Sequence, residues 1–156
     1  MKKSTTKKKR QDTKLESEGA EFLVLGHLLI EGISAYKAYV NFPGYDLTAV
    51  NPKTKKVAKI QVKSRWATNY NKQFPLKNLD CDFVVHVALN RGYRFNKENN
   101  SSDGIKPPTF YIFPIGVIAK TRIVQGGWIK AQILKVRNLE KYINNWKLIK
   151  DYLEEK

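Results

Sequence analysis

Between Gly44 and Arg65 the chain reads GYDLTAVNPKTKKVAKIQVKSR, and no other stretch restricts the fold as much. Two extended runs, Asp46 to Val50 and Val57 to Lys63, flank Asn51-Pro52-Lys53-Thr54, whose residue types favour a tight turn. The stretch is therefore predicted to be a β-hairpin. Side chains alternate along a strand, so Val57, Lys59, Gln61 and Lys63 share one face, and Ala58, Ile60 and Val62 share the other. An aspartate opens the first strand, and a Gln-x-Lys triplet ends the second.

Upstream, Thr13-Lys14-Leu15-Glu16 has the Ser/Thr-x-x-Glu form of a capping box, and Gly32 offers a stop, so residues 14 to 31 are predicted to be helical. The expected apolar stripe runs through Phe22, Leu25, Leu28 and Leu29, with Glu18 and Glu21 on the same face. A carboxylate on a buried stripe costs stability unless something positive meets it. Glu18 can simply rim the core, whereas Glu21, deeper in the stripe, points to a functional role. Ser34 to Val40 is a short extended stretch, and Phe42-Pro43-Gly44 a turn before the hairpin.

Downstream, residues 64 to 79 mix basic, amide and aromatic side chains without periodicity. Asp82 to Asn90 (DFVVHVALN) is almost continuously apolar, as befits a strand buried on both faces. A polar loop follows from Arg91 to Pro108, then an aromatic strand from Thr109 to Phe113 and a short helical turn from Pro114 to Ala119. Residues 120 to 137 fit either a hairpin or a loop around Gly126-Gly127. Leu139 to Leu153 carries apolar residues at helical spacing and is predicted to be a C-terminal helix on the sheet. The expected architecture is α/β, a central mixed β-sheet of about four strands flanked by helices. Residues 13–156 would form one domain behind a disordered basic arm, residues 1–12.

Charge narrows the partner. Lysine and arginine total 29 against 14 acids, a formal net charge of +15 in 156 residues. So large a surplus marks a polyanion partner. No apolar run approaches the ~18 residues that span a bilayer, so nucleic acid is favoured over a membrane. Cys81 is the single cysteine, which excludes an internal disulfide and a cysteine-based zinc site and suits a reducing cytoplasm. His27 and His86 each sit in apolar patterns and read as core or rim residues. Lys7, Lys8, Lys9 and Arg10 of the arm either solubilise the chain or lie along phosphates. Ser64, Arg65, Trp66, Tyr70 and Lys72 have the basic-aromatic mix of a nucleic-acid surface, though Trp66 and Phe74 could equally be packing residues. An acid and a lysine side by side on a hairpin can hold a divalent cation beside a phosphodiester.

The order of parts resembles the PD-(D/E)XK nuclease superfamily: a helix with Glu21 in SEGAEFLVLGHLLIEG, Asp46 in PGYD, and Gln61 and Lys63 in IQVKSR. The stretch from Glu21 through the aspartate hairpin is similar to the opening of archaeal-type Holliday junction resolvases. The Gln-for-Glu variant is similar to that of a small PD-(D/E)XK homing endonuclease and of some restriction enzymes. The likeness covers roughly residues 15 to 90.

The resemblance implies a restriction-endonuclease-like core and a magnesium-dependent endonuclease acting on duplex or branched DNA, with manganese as a substitute ion. The implied ligands are Asp46, Gln61 and the main-chain carbonyl of Val62, with Glu21 holding a water of the ion's shell or a second ion. Lys63 would orient or deprotonate the attacking water. Cutting both strands with one site per chain implies a homodimer or homotetramer. Homing, restriction and junction resolution stay open as subclasses. Two positions depart from the pattern: Tyr45 stands where proline often precedes the aspartate, and Gln61 is neutral. The second departure keeps alive an impaired module that binds DNA or RNA without cleaving it. A third reading is a basic RNA- or ribosome-associated protein in which Asp46 and Lys63 are incidental.

Overall fold

The computed structural model describes residues 12–38, 44–92 and 104–156. The basic arm, including Lys7, Lys8, Lys9 and Arg10, and most of the turn at residues 42 to 44 lie outside the described residues, as does the middle of the loop from 91 to 108. The first helix, α1, spans Lys14–Ile30. It is followed by β1 (Ser34–Lys37), β2 (Leu47–Val50), β3 (Val57–Arg65), β4 (Gln73–Pro75), β5 (Phe83–Ala88) and β6 (Thr109–Pro114). A short helix α2 (Ile115–Ile118), strands β7 (Ile123–Gln125) and β8 (Trp128–Gln132) and helix α3 (Lys147–Glu154) complete the order.

A five-stranded mixed sheet, order β1-β2-β3-β5-β6, forms the centre. The β3–β5 pair is parallel, with Lys63 opposite His86, and the other pairs are antiparallel. A second sheet, β4-β8-β7, was not foreseen beyond the hairpin option at 120 to 137. Its strands β4 and β7 are three residues each, too short to show a period in sequence. The central sheet packs both ways. Ala20, Val24 and Leu28 of α1 and Ile149 and Leu153 of α3 cover one face, against Leu47, Ala49, Ile60, Val85 and Ile112. Phe74, Ile118, Ala131 and Ile133 cover the other, against Val84, Ala88 and Phe113. Every residue of β5 is therefore buried, as its unbroken apolar run requires.

Three local expectations are corrected. Thr13 makes no side-chain cap; the Lys14 N–H donates instead to Asp12 Oδ1 at 2.9 Å. The buried stripe of α1 passes through Ala20, Val24 and Leu28, and Phe22 and Leu29 are exposed. The C-terminal helix begins only at Lys147, because Asn138 and Asn144 both adopt left-handed backbone (φ 52°) and break the segment into a 3-10 turn and a bridge from Ile143 to Tyr111. The C-terminal stop of α1 does hold: Gly32, at φ +76°, lets its own N–H reach Leu29 O at 3.0 Å and the Ile33 N–H reach Leu28 O at 2.9 Å.

The hairpin forms as expected. Asn51 Oδ1 accepts the N–H groups of Lys53 and Thr54, at 3.0 and 3.3 Å, closing the turn. Ahead of β2, Gly44 has φ +106°, and a Cβ there would lie 2.9 Å from Asn78 Oδ1 and 3.0 Å from Asp80 O. Both the backbone and the close approach demand glycine two residues before Asp46. Gly44→Ala is expected to destabilise the protein by on the order of 1–3 kcal/mol, read as a lowered midpoint in urea unfolding.

Candidate active site

β3 runs further than β2, so the ladder between them ends at Leu47–Ile60, with the Asp46 N–H still reaching Ile60 O at 2.8 Å. The next β3 donor on that side is the Val62 N–H. Asp46 Oδ2 accepts it at 2.7 Å, so a side chain continues the ladder where the backbone has turned away. This contact fixes the Asp46 carboxylate against the middle of the Gln61-Val62-Lys63 triplet. A parallel device operates one step away: Asp82 Oδ2 accepts the Lys59 N–H at 2.7 Å, and Asp82 Oδ1 accepts the Tyr152 hydroxyl at 3.0 Å.

Glu21 joins from α1. Burial first, and the Asp46 charge second, raise its carboxyl from an ordinary 4.5 to about 7. The Lys37 Nζ, 3.3 Å from Glu21 Oε2, favours the ionised form, but burial and Asp46 outweigh it. Lys37 is the site residue that sequence reasoning missed. Its side chain is 5% exposed, pairs with both Glu18 and Glu21, and lies 4.4 Å from the Phe22 ring centroid. The signal was available in strand parity, since Lys37 shares a face with the buried Ala35.

Gln61 and Lys63 occupy the β3 face opposite Ile60 and Val62, as predicted. Gln61 Oε1 is buried and has no hydrogen-bond partner among the described residues. A buried amide oxygen left unpaired costs free energy, so it calls for a group that the described residues do not supply. Lys63 has its pKa lowered, chiefly by burial and further by Arg65, with the charges of Asp46 and Cys81 opposing. Burial also raises the neighbouring Cys81 thiol to about 12, so that cysteine is inert as a nucleophile. His86, opposite Lys63, is fully buried, stacks 5.1 Å from Phe74 and is held neutral, its pKa pushed down to about 3 by burial and then Arg65.

Asp46 thus stands within electrostatic range of both Glu21 and Lys63, and it is bonded to the backbone N–H that follows Gln61. The flanking basic-aromatic residues divide. Arg65 extends from β3 and lies 5.6 Å over the Tyr70 ring, while its Nη1 donates to Ser64 O at 3.1 Å. Tyr70 packs on the second core and donates its hydroxyl to Gln73 O at 2.5 Å. Phe74 is entirely buried and is a packing residue; Ser64 and Trp66 are half-buried and Lys72 is exposed.

Among the described residues no group of three or more His, Cys, Asp or Glu side chains could hold a metal ion. The candidate oxygen donors are the carboxylate of Asp46, within electrostatic range of that of Glu21, and the amide oxygen of Gln61, one residue before the N–H that Asp46 accepts. Such a set fits a hard divalent cation, which needs only one or two protein carboxylates and completes its shell with neutral oxygens and water.

The raised pKa of Glu21 has a sign. Below pH 4.5 Glu21 is protonated whether the chain is folded or not; above about 7 it is ionised in both, and the folded state carries the full penalty. Stability in EDTA is therefore expected to fall as pH rises from 4.5 to 7. Lys37 and residual exposure limit the loss to on the order of 1 kcal/mol. Urea unfolding of Glu21→Gln across that range is expected to lack this component.

Among solved structures, the chain is similar to that of the bacterial homing endonuclease I-Ssp6803I, with a TM-score of 0.57 and 20% identity over 90% of this chain and 93% of that one. It also matches a 1.6 Å structure of Hjc, a Holliday junction resolvase from the archaeal hyperthermophile Archaeoglobus fulgidus, over 75% of this chain and 84% of that one, at TM-score 0.44 and 15% identity. No protein-family model and no curated protein matches the sequence. The mixed sheet, its flanking helices and the likeness to I-Ssp6803I together give this chain the fold of a PD-(D/E)XK nuclease.

Proposed function

We propose that the chain is a divalent-metal-dependent endonuclease that hydrolyses phosphodiester bonds in DNA. The observation that carries this reading is the buried, unpartnered Gln61 Oε1 beside a carboxylate pinned to the same triplet. Asp46, Gln61 and the Val62 carbonyl would hold magnesium or manganese, with Glu21 adjoining. The bound ion supplies Lewis acidity and an acidified water for in-line attack at phosphorus. I-Ssp6803I, similar in fold, is a homing endonuclease, which agrees with this reading.

The chain's own residues do the rest. Lys63 is buried enough to have a lowered pKa and near enough to Asp46 to stay oriented. It can donate to a phosphate oxygen and accept a proton nearer neutrality than a free lysine does. Arg65, held over Tyr70 at the end of β3, presents a cation along the same strand. The +15 surplus supplies most of the affinity through phosphate contacts. Gln61, being neutral, lowers the negative charge available to a second ion, so the site is best suited to one.

The test is cleavage of supercoiled plasmid, linear duplex and a synthetic four-way junction with magnesium, manganese or EDTA. Metal-dependent products are expected, and Lys63→Ala and Asp46→Ala are expected to lower the rate by ~10²-fold or more while retaining binding. Salt-sensitive binding without cleavage of any substrate in either metal would overturn the reading in favour of a non-catalytic module. Discrete bands from one linear site would indicate a homing or restriction activity, and preference for the junction a resolvase.

The same preparation offers a second check. Binding to duplex DNA is expected to weaken by at least ~10³-fold between 50 and 200 mM salt if six or more phosphates are contacted. Fluorescence anisotropy across that range measures it, and a shallow slope would assign the basic surplus to some other partner.

A further inference from the structure

Helix α1 is apolar on two opposite faces, and the described fold covers one of them. Ala20, Val24 and Leu28 face the core, while Leu15, Phe22, Leu23, Leu29 and Ile30 remain between 39% and 88% exposed. At ~100° per residue those five fall in a stripe about 120° wide, roughly opposite Val24. A helix that is apolar all round is ordinarily buried all round.

Two glycines lie in the middle of the exposed stripe, Gly19 and Gly26. A Cβ on either would meet nothing within 4 Å, and neither has a positive φ. Glycine inside a helix is less stable than alanine, and here no turn or close contact among the described residues explains it. The two positions are notches, seven residues apart, open toward the outside of the molecule.

The chain carries the matching knobs. Phe22 and Leu29 lie on the same stripe, also seven residues apart. Turning a second copy of the helix antiparallel sets Phe22 against the partner's Gly26 and Leu29 against the partner's Gly19, and each contact recurs by symmetry. We propose that this face is the two-fold interface of a homodimer, α1 packing antiparallel on α1 of a second copy. Large side chains facing small ones give a–d layers of an antiparallel helix pair and allow close approach. The exposed apolar area is on the order of 500 Å² per copy, at the upper end of patches left on monomers, and two copies reach the ~1,000 Å² of a specific interface.

Other occupants fit less well. Residues 1–11 (MKKSTTKKKRQ) hold no apolar side chain but Met1 and cannot cover the stripe. The stripe has no lysine or arginine for a phosphate, and Glu16 and Glu18, one at each edge of it, oppose an anionic membrane surface. The proposal stands on the helix alone and does not depend on the nuclease reading.

Sedimentation equilibrium of the full chain tests it. The wild type is expected at twice the chain mass at tens of micromolar. Gly19→Leu/Gly26→Leu fills both notches and is expected to halve the mass, with an unchanged or higher Tm because leucine is the better helix former. Adding Phe22→Ala/Leu29→Ala exchanges knobs and notches and is expected to restore the dimer. Should the leucine variant fail to fold, Ile30→Asp, at an 80% exposed position, is expected to give folded monomers. A monomeric wild type, a mass unmoved by the disrupting variants, or a knob-and-notch exchange that stays monomeric would overturn the proposal.

Discussion

The 2.7 Å bond from the Val62 N–H to Asp46 Oδ2 organises the candidate site. It exists because two strands of unequal length meet: β2 starts at Leu47 while β3 continues to Arg65. Past the end of a ladder a strand exposes donors that must be satisfied. A carboxylate placed at the strand opening satisfies one and is thereby anchored within one residue of both Gln61 and Lys63. Gly44, where a positive φ and the approach of Asn78 and Asp80 leave no room for a side chain, stands two residues ahead of that carboxylate. The same contact closes the ladder and fixes the carboxylate, so a substitution at Asp46 acts on both.

Around that anchor the charges are placed under tension. Glu21 is pushed toward its neutral form by burial and by Asp46, while Lys63 is pushed toward neutrality by burial and by Arg65. Neither would be stable there in isolation; each is tolerated because an opposite charge, Lys37 for Glu21 and Asp46 for Lys63, offsets part of the cost. Asp46 is the group common to both shifts, raising the pKa of each.

Much of this was legible in the chain. The hairpin announced itself through alternation and the Asn-Pro-Lys-Thr turn, and the β5 strand through its unbroken apolar run. The convergence of Glu21 with the hairpin was expected only through the resemblance, since no local rule links residues that far apart. What escaped had physical reasons. The exposed leucines of α1 drew the predicted stripe toward Phe22 and Leu29, because periodicity cannot tell which of two apolar faces meets the core. Leu139 to Ile143 has helical spacing, but two asparagines in left-handed conformation override it, and asparagine tolerates that region better than most residues. Lys37 was passed over because a basic residue on a short edge strand looks solvated until its parity with Ala35 is counted.

Gln61 carries the sharpest consequence of composition for chemistry. With glutamate there, three carboxylates would face one cation and resist the approach of a phosphate. With glutamine, the carboxylates of Glu18, Glu21 and Asp46 are set against Lys37, Lys63 and Arg65, three against three, where a glutamate would tip the local balance negative. On the proposed reading such a pocket would hold a cation less tightly than a three-acid site but oppose an incoming phosphodiester less, the phosphate bringing oxygens of its own to the ion's shell. On that same reading the neutral amide would shift part of the cation's ligation from protein to substrate and so couple occupation by the ion to the arrival of the phosphate.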